Sequence, residues 1–394
     1  MIVLVAPYTG YNKSGDVHLG ASKKIRFVIS VLSKLSNDII LINSAHNALE
    51  KNALVKRKIV IDGVSLTEIL PPTIQRRAVG KLLNLVNINE VVEQLEIEEQ
   101  TGKAPELFWF YNAYAFEMLF ANKVSKKYKA PLILEFEDWH FSRNRGGSLK
   151  PWIDYLFWRI SIGKFEKVYA INANVRNIVR PLCSNVSLLP GVVPKSLAII
   201  AQNNEPFAKS GRALKIGYFG GLSKEKGADI VLALPDMLSS NFVLHVTGSG
   251  SLSTLFTEQS QKTPDKLVYH GMVDDKELME IIADCDIILN PHTPIAEFKD
   301  GLFPFKVIES IASGRMLIST ELSFTGFEEL AKGTLFVDHS VTAFAKAITE
   351  ARSWFEKNKT DIEESSSKAI AMFGEESIVG YLKQLIETRT GHIA

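Results

Sequence analysis

Short runs of aliphatic and β-branched residues alternate along the chain with longer stretches in which apolar residues recur every three or four positions. Strand-like and helix-like periods in alternation predict parallel sheets covered by helices, an α/β fold. In the first half, strands are expected at residues 2–6, 39–43, 58–61, 107–110, 132–136, 168–171 and 186–189, with helices at 21–35, 113–128 and 152–163 among those between them. Residues 193–213 break the pattern with two prolines, the polar tract Gln202-Asn203-Asn204-Glu205 and Lys209-Ser210-Gly211, which is linker chemistry. Alternation then restarts, with strands expected at 215–219, 242–247, 267–270, 287–290, 316–319 and 335–337, each followed by a helical stretch, and amphipathic segments from 342 to 388 close the chain.

The pattern predicts two doubly wound domains, 1–195 and 212–374, with a C-terminal helix at 375–394 returning to the first. Tandem open parallel sheets predict a cleft, with ligands at the carboxyl ends of the strands. The length of 394 residues suits two domains, and 46% apolar with 23% charged residues is a globular composition. Residues 1–6 lead into a strand without a basic n-region or a cleavage site, so a cytoplasmic location is expected. The most apolar long segment, 152–163, is interrupted by Asp154 and Arg159, so no membrane span is expected. Cys183 and Cys285 lie far apart without metal-ligand spacing and read as packed thiols.

A net charge of +1 hides an asymmetry. Residues 1–200 hold 26 Lys and Arg against 17 Asp and Glu, a net of +9, while residues 201–394 come to −8. Either the first half meets something anionic or the surface charge is uneven without consequence. Basic and apolar residues mingle there: Arg76, Arg77 and Lys81 beside Leu82, Leu83 and Leu85, and Arg143, Arg145 and Lys150 before Trp152, Tyr155, Phe157 and Trp158. Such mixtures suit an anionic bilayer surface or core helices with solvated charges, and burial is expected for the stretch 152–158.

Two segments carry candidate chemistry. Gly217-Tyr218-Phe219-Gly220-Gly221-Leu222-Ser223-Lys224-Glu225-Lys226-Gly227 is a strand running into a glycine turn and then a helix. Glycines permit close backbone approach, and Lys226 adds a full charge to the partial charge of exposed helix amides, so a phosphate would be well held. Gly301-Leu302-Phe303-Pro304-Phe305-Lys306-Val307-Ile308-Glu309-Ser310-Ile311-Ala312-Ser313-Gly314 brackets a helix at 304–313 between proline and glycine. Lys306 and Glu309 are three apart and share a face. A cation there can meet a diphosphate, and a carboxylate one turn deeper can accept from ribose hydroxyls. Alone, each segment also reads as an ordinary turn or a surface ion pair.

In this order and about eighty residues apart, the two segments resemble glycosyltransferase family four (glycosyl transferases group 1) over essentially the whole chain. Further landmarks are Leu189-Pro190-Gly191-Val192, Thr247-Gly248-Ser249-Gly250, His270-Gly271-Met272-Val273 and the stretch from Ala283 through Asp284-Cys285-Asp286 to Pro291. The resemblance implies the GT-B fold, two Rossmann-like domains facing across a cleft, and retaining transfer of a sugar from a nucleotide-diphosphate sugar. It implies Lys226 on the donor phosphate, Glu309 on the ribose, Lys306 as the lysine of a Pro-x-Lys-x-x-Glu helix, and Gly20 facing the diphosphate. Gly220, Gly221, Gly248, Gly301, Phe303 and Pro304 complete the implied donor site. Three departures stand out: Gly301 replaces the first glutamate of the family's pair, Gly221 an arginine, and Glu137 a catalytic-site histidine. Glu137 and Asp138 are therefore candidates beside Lys226 and Lys306, with His140 the other possibility. Asp284-Cys285-Asp286 spells a metal-binding string used elsewhere, but here it joins a helix to a strand and reads as structural. No metal or other cofactor is expected.

The expected function is transfer to a saccharide or lipid-diphosphate-linked acceptor in bacterial surface polysaccharide synthesis. Peripheral contact with an anionic membrane and no nucleic-acid partner are expected with it. A nucleotide-sugar epimerase on the same fold, or a sugar-nucleotide-binding subunit that has lost catalysis, remain open.

Overall fold

The computed structural model describes residues 1–10, 19–45, 53–72, 85, 87–102, 104–137, 139–142, 149–203, 206–207, 211–238, 241–293 and 304–390. The chain divides into two compact units, Met1–Leu189 with Glu375–Ala394, and Pro190–Gly374. Within the stretch read as linker, Lys195–Asn203 is a helix belonging to the second unit.

The first unit is built on an eight-stranded sheet. Its elements are β1 (Ile2–Ala6), α1 (Leu19–Ser33), β2 (Ile39–Asn43), β3 (Val55–Ile61), β4 (Val64–Leu70), α2 (Ile88–Thr101), β5 (Leu107–Tyr111), α3 (Ala115–Lys127), β6 (Leu132–Phe136), α4 (Lys150–Ser161), β7 (Lys167–Ala170), α5 (Ala173–Val179) and β8 (Val186–Leu188). The strand order is β3-β4-β2-β1-β5-β6-β7-β8. β1, β2, β5 and β6 are buried along their whole length, as strands covered on both faces must be, which explains their predominantly apolar sequences. The edge departs from the sequence reading. β3 and β4 form an antiparallel hairpin, and residues 58–61 are only the end of the longer β3. Asp62 and Gly63 turn it with φ values of 49° and 82°, the left-handed pair that a tight hairpin turn requires.

The second unit carries α6 (Lys195–Asn203), β9 (Leu214–Phe219), α7 (Ala228–Met237), β10 (Phe242–Thr247), α8 (Ser253–Lys262), β11 (Leu267–Gly271), α9 (Asp275–Asp284), β12 (Ile287–Asn290), α10 (Phe305–Ala312), β13 (Met316–Ser319), β14 (Thr334–Phe336) and α11 (Val341–Phe373). The last helix, α12 (Glu375–Thr390), belongs to the first unit, where Glu375 accepts from Ser30 at 2.7 Å and pairs with Lys34. The six strands are parallel in the order β11-β10-β9-β12-β13-β14. The helical stretch expected after β13 is a short 3-10 helix, Glu328–Ala331. Chain order runs outward in both directions from the β9–β12 pair, so the crevice at their carboxyl ends is the topological switch point of this sheet. Both candidate segments of the sequence converge there.

Candidate functional site

The site of the second unit is first a backbone structure. Gly220 follows β9 with φ +139°, and Gly248 follows β10 with φ +121°. A Cβ on Gly248 would stand 1.9 Å from the Gly220 carbonyl oxygen, and one on Gly250 would stand 2.4 Å from that of Leu222. No side chain fits between these two strand ends, which are tied by Gly220 N–H to Thr247 O (3.1 Å) and Leu222 N–H to Ser249 O (3.0 Å). Gly227 repeats the device at the entrance to α7: its φ is +70°, and a Cβ there would lie 1.8 Å from the Pro291 carbonyl oxygen beyond β12. Buried Tyr218 pins the connecting loop by donating to the carbonyls of Gly221 (2.8 Å) and Lys226 (3.2 Å).

Two lysines enter this crevice. Lys226 closes a turn of 3-10 helix, its Nζ 3.3 Å from Glu225 Oε1 and 3.0 Å from His292 Nε2. His292 Nδ1 lies 2.8 Å from the Thr293 carbonyl oxygen, which can only accept, so Nδ1 carries the proton and Nε2 offers its lone pair to the ammonium. Burial, opposed by the Thr293 hydrogen bond and reinforced by Lys226 and Lys306, pushes the His292 pKa down to about 4. His292 is therefore neutral at physiological pH.

Lys306 stands in the first turn of α10, which Pro304 caps in an extended conformation. Its stem reaches the surface while its Nζ is covered and finds no hydrogen-bond partner among the described residues. The ammonium lies 4.6 Å from the centroid of the Tyr218 ring, and a Cβ added to Gly220 would be 3.8 Å from it. Burial first, and the charge of Lys226 second, bring its pKa down to about 7. Glu309, one turn on, is only 8% exposed. The Leu189-Pro190-Gly191-Val192 landmark seats this helix: a Cβ on Gly191 would be 2.8 Å from Ile308 Cβ.

Gly220, Gly221, Lys226, Gly248, Pro304 and Lys306 are thus set on loops and helix starts at the carboxyl end of this sheet, with Glu309 one turn into α10. Gly301 and Phe303 lie outside the described residues. The Asp284-Cys285-Asp286 string is spent structurally. Asp286 is 1% exposed and accepts from Phe207 N–H (2.7 Å), Lys215 N–H (3.0 Å) and Arg212 (2.6 Å), while Asp284 pairs with Lys215. Both cysteines are buried and free.

In the first unit, Gly20 lies in the opening turn of α1 and Glu137 immediately follows β6. Asp138 lies outside the described residues. Glu137 is held by Lys24 of α1, which is 1% exposed and also lies 3.0 Å from Glu135, a fully buried carboxylate that accepts from Trp109 Nε1 at 3.1 Å. Burial alone would lower the Lys24 pKa, but the two glutamates outweigh it and raise it, so the ammonium stays charged. His140 is turned instead toward Asp154, with Nε2 3.4 Å from Oδ2 and its ring against Tyr114. Sequence reading missed Tyr218, His292, Lys24 and Glu135. For His292 the signal was its place two residues beyond a parallel strand, and for Lys24 its place on the apolar face of α1.

Residues 213–353 match the family model described as glycosyl transferases group 1. A comparison with curated proteins matches none by sequence. Among solved structures, a sucrose-phosphate synthase from Thermosynechococcus elongatus is similar with a TM-score of 0.64 at 14% identity, over 99% of each chain. The Anabaena protein HepE in complex with UDP aligns at a TM-score of 0.62 and 11% identity, over 98% of this chain and 100% of that one. The lipopolysaccharide outer core galactosyltransferase WaaB in its apo form aligns at 0.59 and 12%, over 98% and 99%. At such identities the likeness is one of fold. Among the described residues, no helix is long and apolar enough to cross a membrane. Residues 213–353 are thus similar to glycosyl transferases group 1, and the chain as a whole has the GT-B fold of these solved structures.

Proposed function

We propose that the chain transfers a sugar, with retention of anomeric configuration and without a metal ion, from a nucleotide-diphosphate sugar bound at the β9–β12 crevice. The observation that carries this reading is the covered Lys306 ammonium, without a hydrogen-bond partner among the described residues and beside a second lysine and a glycine loop. A buried cation left in this state costs several kcal/mol and is built to be neutralised by a visiting anion. Lys226 and Lys306 take the diphosphate, with the backbone at Gly220, Gly221 and Gly248 close enough to approach it. Glu309 accepts from the ribose hydroxyls, and Gly20 is assigned to the diphosphate by the family resemblance. Gly301, Phe303 and Pro304 complete the donor site.

In the transfer, the bond between the anomeric carbon and the diphosphate oxygen breaks and its electron pair leaves with the diphosphate, where the two ammoniums stabilise it. The acceptor oxygen attacks from the same face and yields its proton to the departing phosphate. Glu137 and Asp138 orient the acceptor. A saccharide or lipid-diphosphate-linked saccharide serves as acceptor, in bacterial surface polysaccharide synthesis on the cytoplasmic side of an anionic membrane. The basic excess of the first 200 residues and the likeness to WaaB, a lipopolysaccharide outer core galactosyltransferase, support this choice. UDP and UDP-glucose in the structures of the neighbour HepE support a nucleotide-sugar donor. Calorimetric titration with nucleoside diphosphates tests the site: saturable binding that Lys306→Met abolishes is expected, and binding unchanged in that variant would refute the assignment.

A further inference from the structure

The sequence reading expected residues 152–158 to be buried. Trp158 is, at 2% exposure, and Ile153 and Phe157 are half-buried, but the other large apolar residues of α4 face outward. Its inward side carries Asp154, which accepts from Ala115 N–H at 2.9 Å and pairs with Lys150, so a carboxylate occupies the position expected of an apolar residue. Its outward side carries Leu149 (73% exposed), Trp152 (72%), Leu156 (56%) and Ile160 (56%), spaced by three or four residues into one stripe, with Tyr155 (37%) alongside. Five of the thirteen exposed large hydrophobics among the described residues fall in these twelve positions. Scattered apolar residues need no explanation, but a continuous stripe marks a surface that meets something.

We infer that the outward stripe of α4 docks the protein on an anionic bilayer surface, with Trp152 and its apolar neighbours in the interfacial layer. Charge selects this occupant. The exposed charged residues of segment 149–164 are Arg159 and Lys164, because its carboxylate, Asp154, faces inward. α3 packs beside α4, and both run from the carboxyl end of the sheet to its opposite end. The exposed Lys126 and Lys129 at the end of α3 therefore share the end where Arg159 lies, while Lys127 pairs with Glu96 of α2. A symmetric contact between two copies of this face would bring like charges together, whereas anionic headgroups neutralise them. A tryptophan with tyrosine beside it suits a layer that is apolar on one side and wet on the other. The inference deepens the lipid-linked acceptor reading and rests on it for purpose, though not for geometry.

The test is sedimentation of the full chain with vesicles of phosphatidylglycerol and phosphatidylcholine, and with phosphatidylcholine alone, at low and high salt. Binding to the anionic vesicles is expected, weaker at high salt. It should fall at least roughly tenfold when Trp152, Leu156 and Ile160 are together replaced by glutamine. A second variant, Arg159→Gln with Lys164→Gln, leaves the stripe intact and should lower the salt dependence. Equal binding by the triple variant and the parent overturns the inference. So does a dimer, seen by light scattering, that the triple variant dissolves without any vesicle binding. Nucleoside-diphosphate binding is measured on the same samples. Lost vesicle binding with diphosphate binding intact in the parent protein sinks this inference alone, and the reverse sinks the donor-site reading.

Discussion

Lys306 Nζ lies 4.6 Å from the centroid of Tyr218, whose own hydroxyl donates to the Gly221 and Lys226 carbonyls. One buried tyrosine thus fixes the glycine loop and offers its ring to the cation beside that loop. A cation–π contact is worth about 2 kcal/mol when desolvated. Burial, with the charge of Lys226 beside it, nevertheless draws the Lys306 pKa down to about 7.

The two lysines are expected to act on the leaving group. Lys226→Ala or Lys306→Ala should each lower turnover by roughly 10²–10³, the scale of losing one preorganised stabiliser of developing charge. Steady-state kinetics of both variants check this, and ordinary turnover in both would place the charge stabilisation elsewhere.

Protonation of Lys306 gives a pH signature. Its folded pKa, about 7, is depressed below the ordinary lysine value, so between the two values the unfolded chain binds more protons than the folded one. Stability without ligand should therefore rise as pH increases from about 7 toward the lysine range, and Lys306→Met should flatten that rise in melts at pH 6 and 9. A bound diphosphate favours the charged ammonium, so binding at pH 8 should take up protons. Calorimetry in two buffers of different ionisation enthalpy reads this, and no uptake in the parent protein would contradict it.

Glu309 is expected to hold the ribose. Glu309→Gln should cost roughly 1.5–3 kcal/mol of donor affinity, about ten- to a hundredfold or slightly more. The variant should lose its preference for a ribonucleotide over the corresponding dideoxyribonucleotide. Titration of both nucleotides into both proteins checks this, and an unaltered preference removes the role.

The arrangement of two lysines and helix starts predicts that turnover persists in EDTA. Loss of activity with EDTA and its return with manganese or magnesium would require a metal on the diphosphate.

Much of the fold was legible because strands inside a parallel sheet are predominantly apolar runs: residues 2–6, 39–43, 132–136, 242–247 and 287–290 were read to the residue. The β3–β4 hairpin was missed because β3 is an exposed edge, with Lys56, Arg57 and Lys58 outward, and carries no such run; Asp62-Gly63 was its one clear signal. The glycine segment and the Lys306–Glu309 helix were legible from spacing. His292 was not, since its role depends on two lysines distant in sequence. The outward face of α4 was misread because apolar periodicity marks a face without saying whether protein covers it, and only the placement of Asp154 reverses the helix.

The most direct test is turnover of a panel of nucleotide-diphosphate sugars by the purified chain, scoring nucleoside diphosphate released and the anomeric configuration of the product. The account predicts release from at least one donor, a product that retains the donor's configuration, and a loss of roughly 10²–10³ in Lys306→Ala. Saturable donor binding without release across donors and acceptors, or a product of inverted configuration, would contradict it.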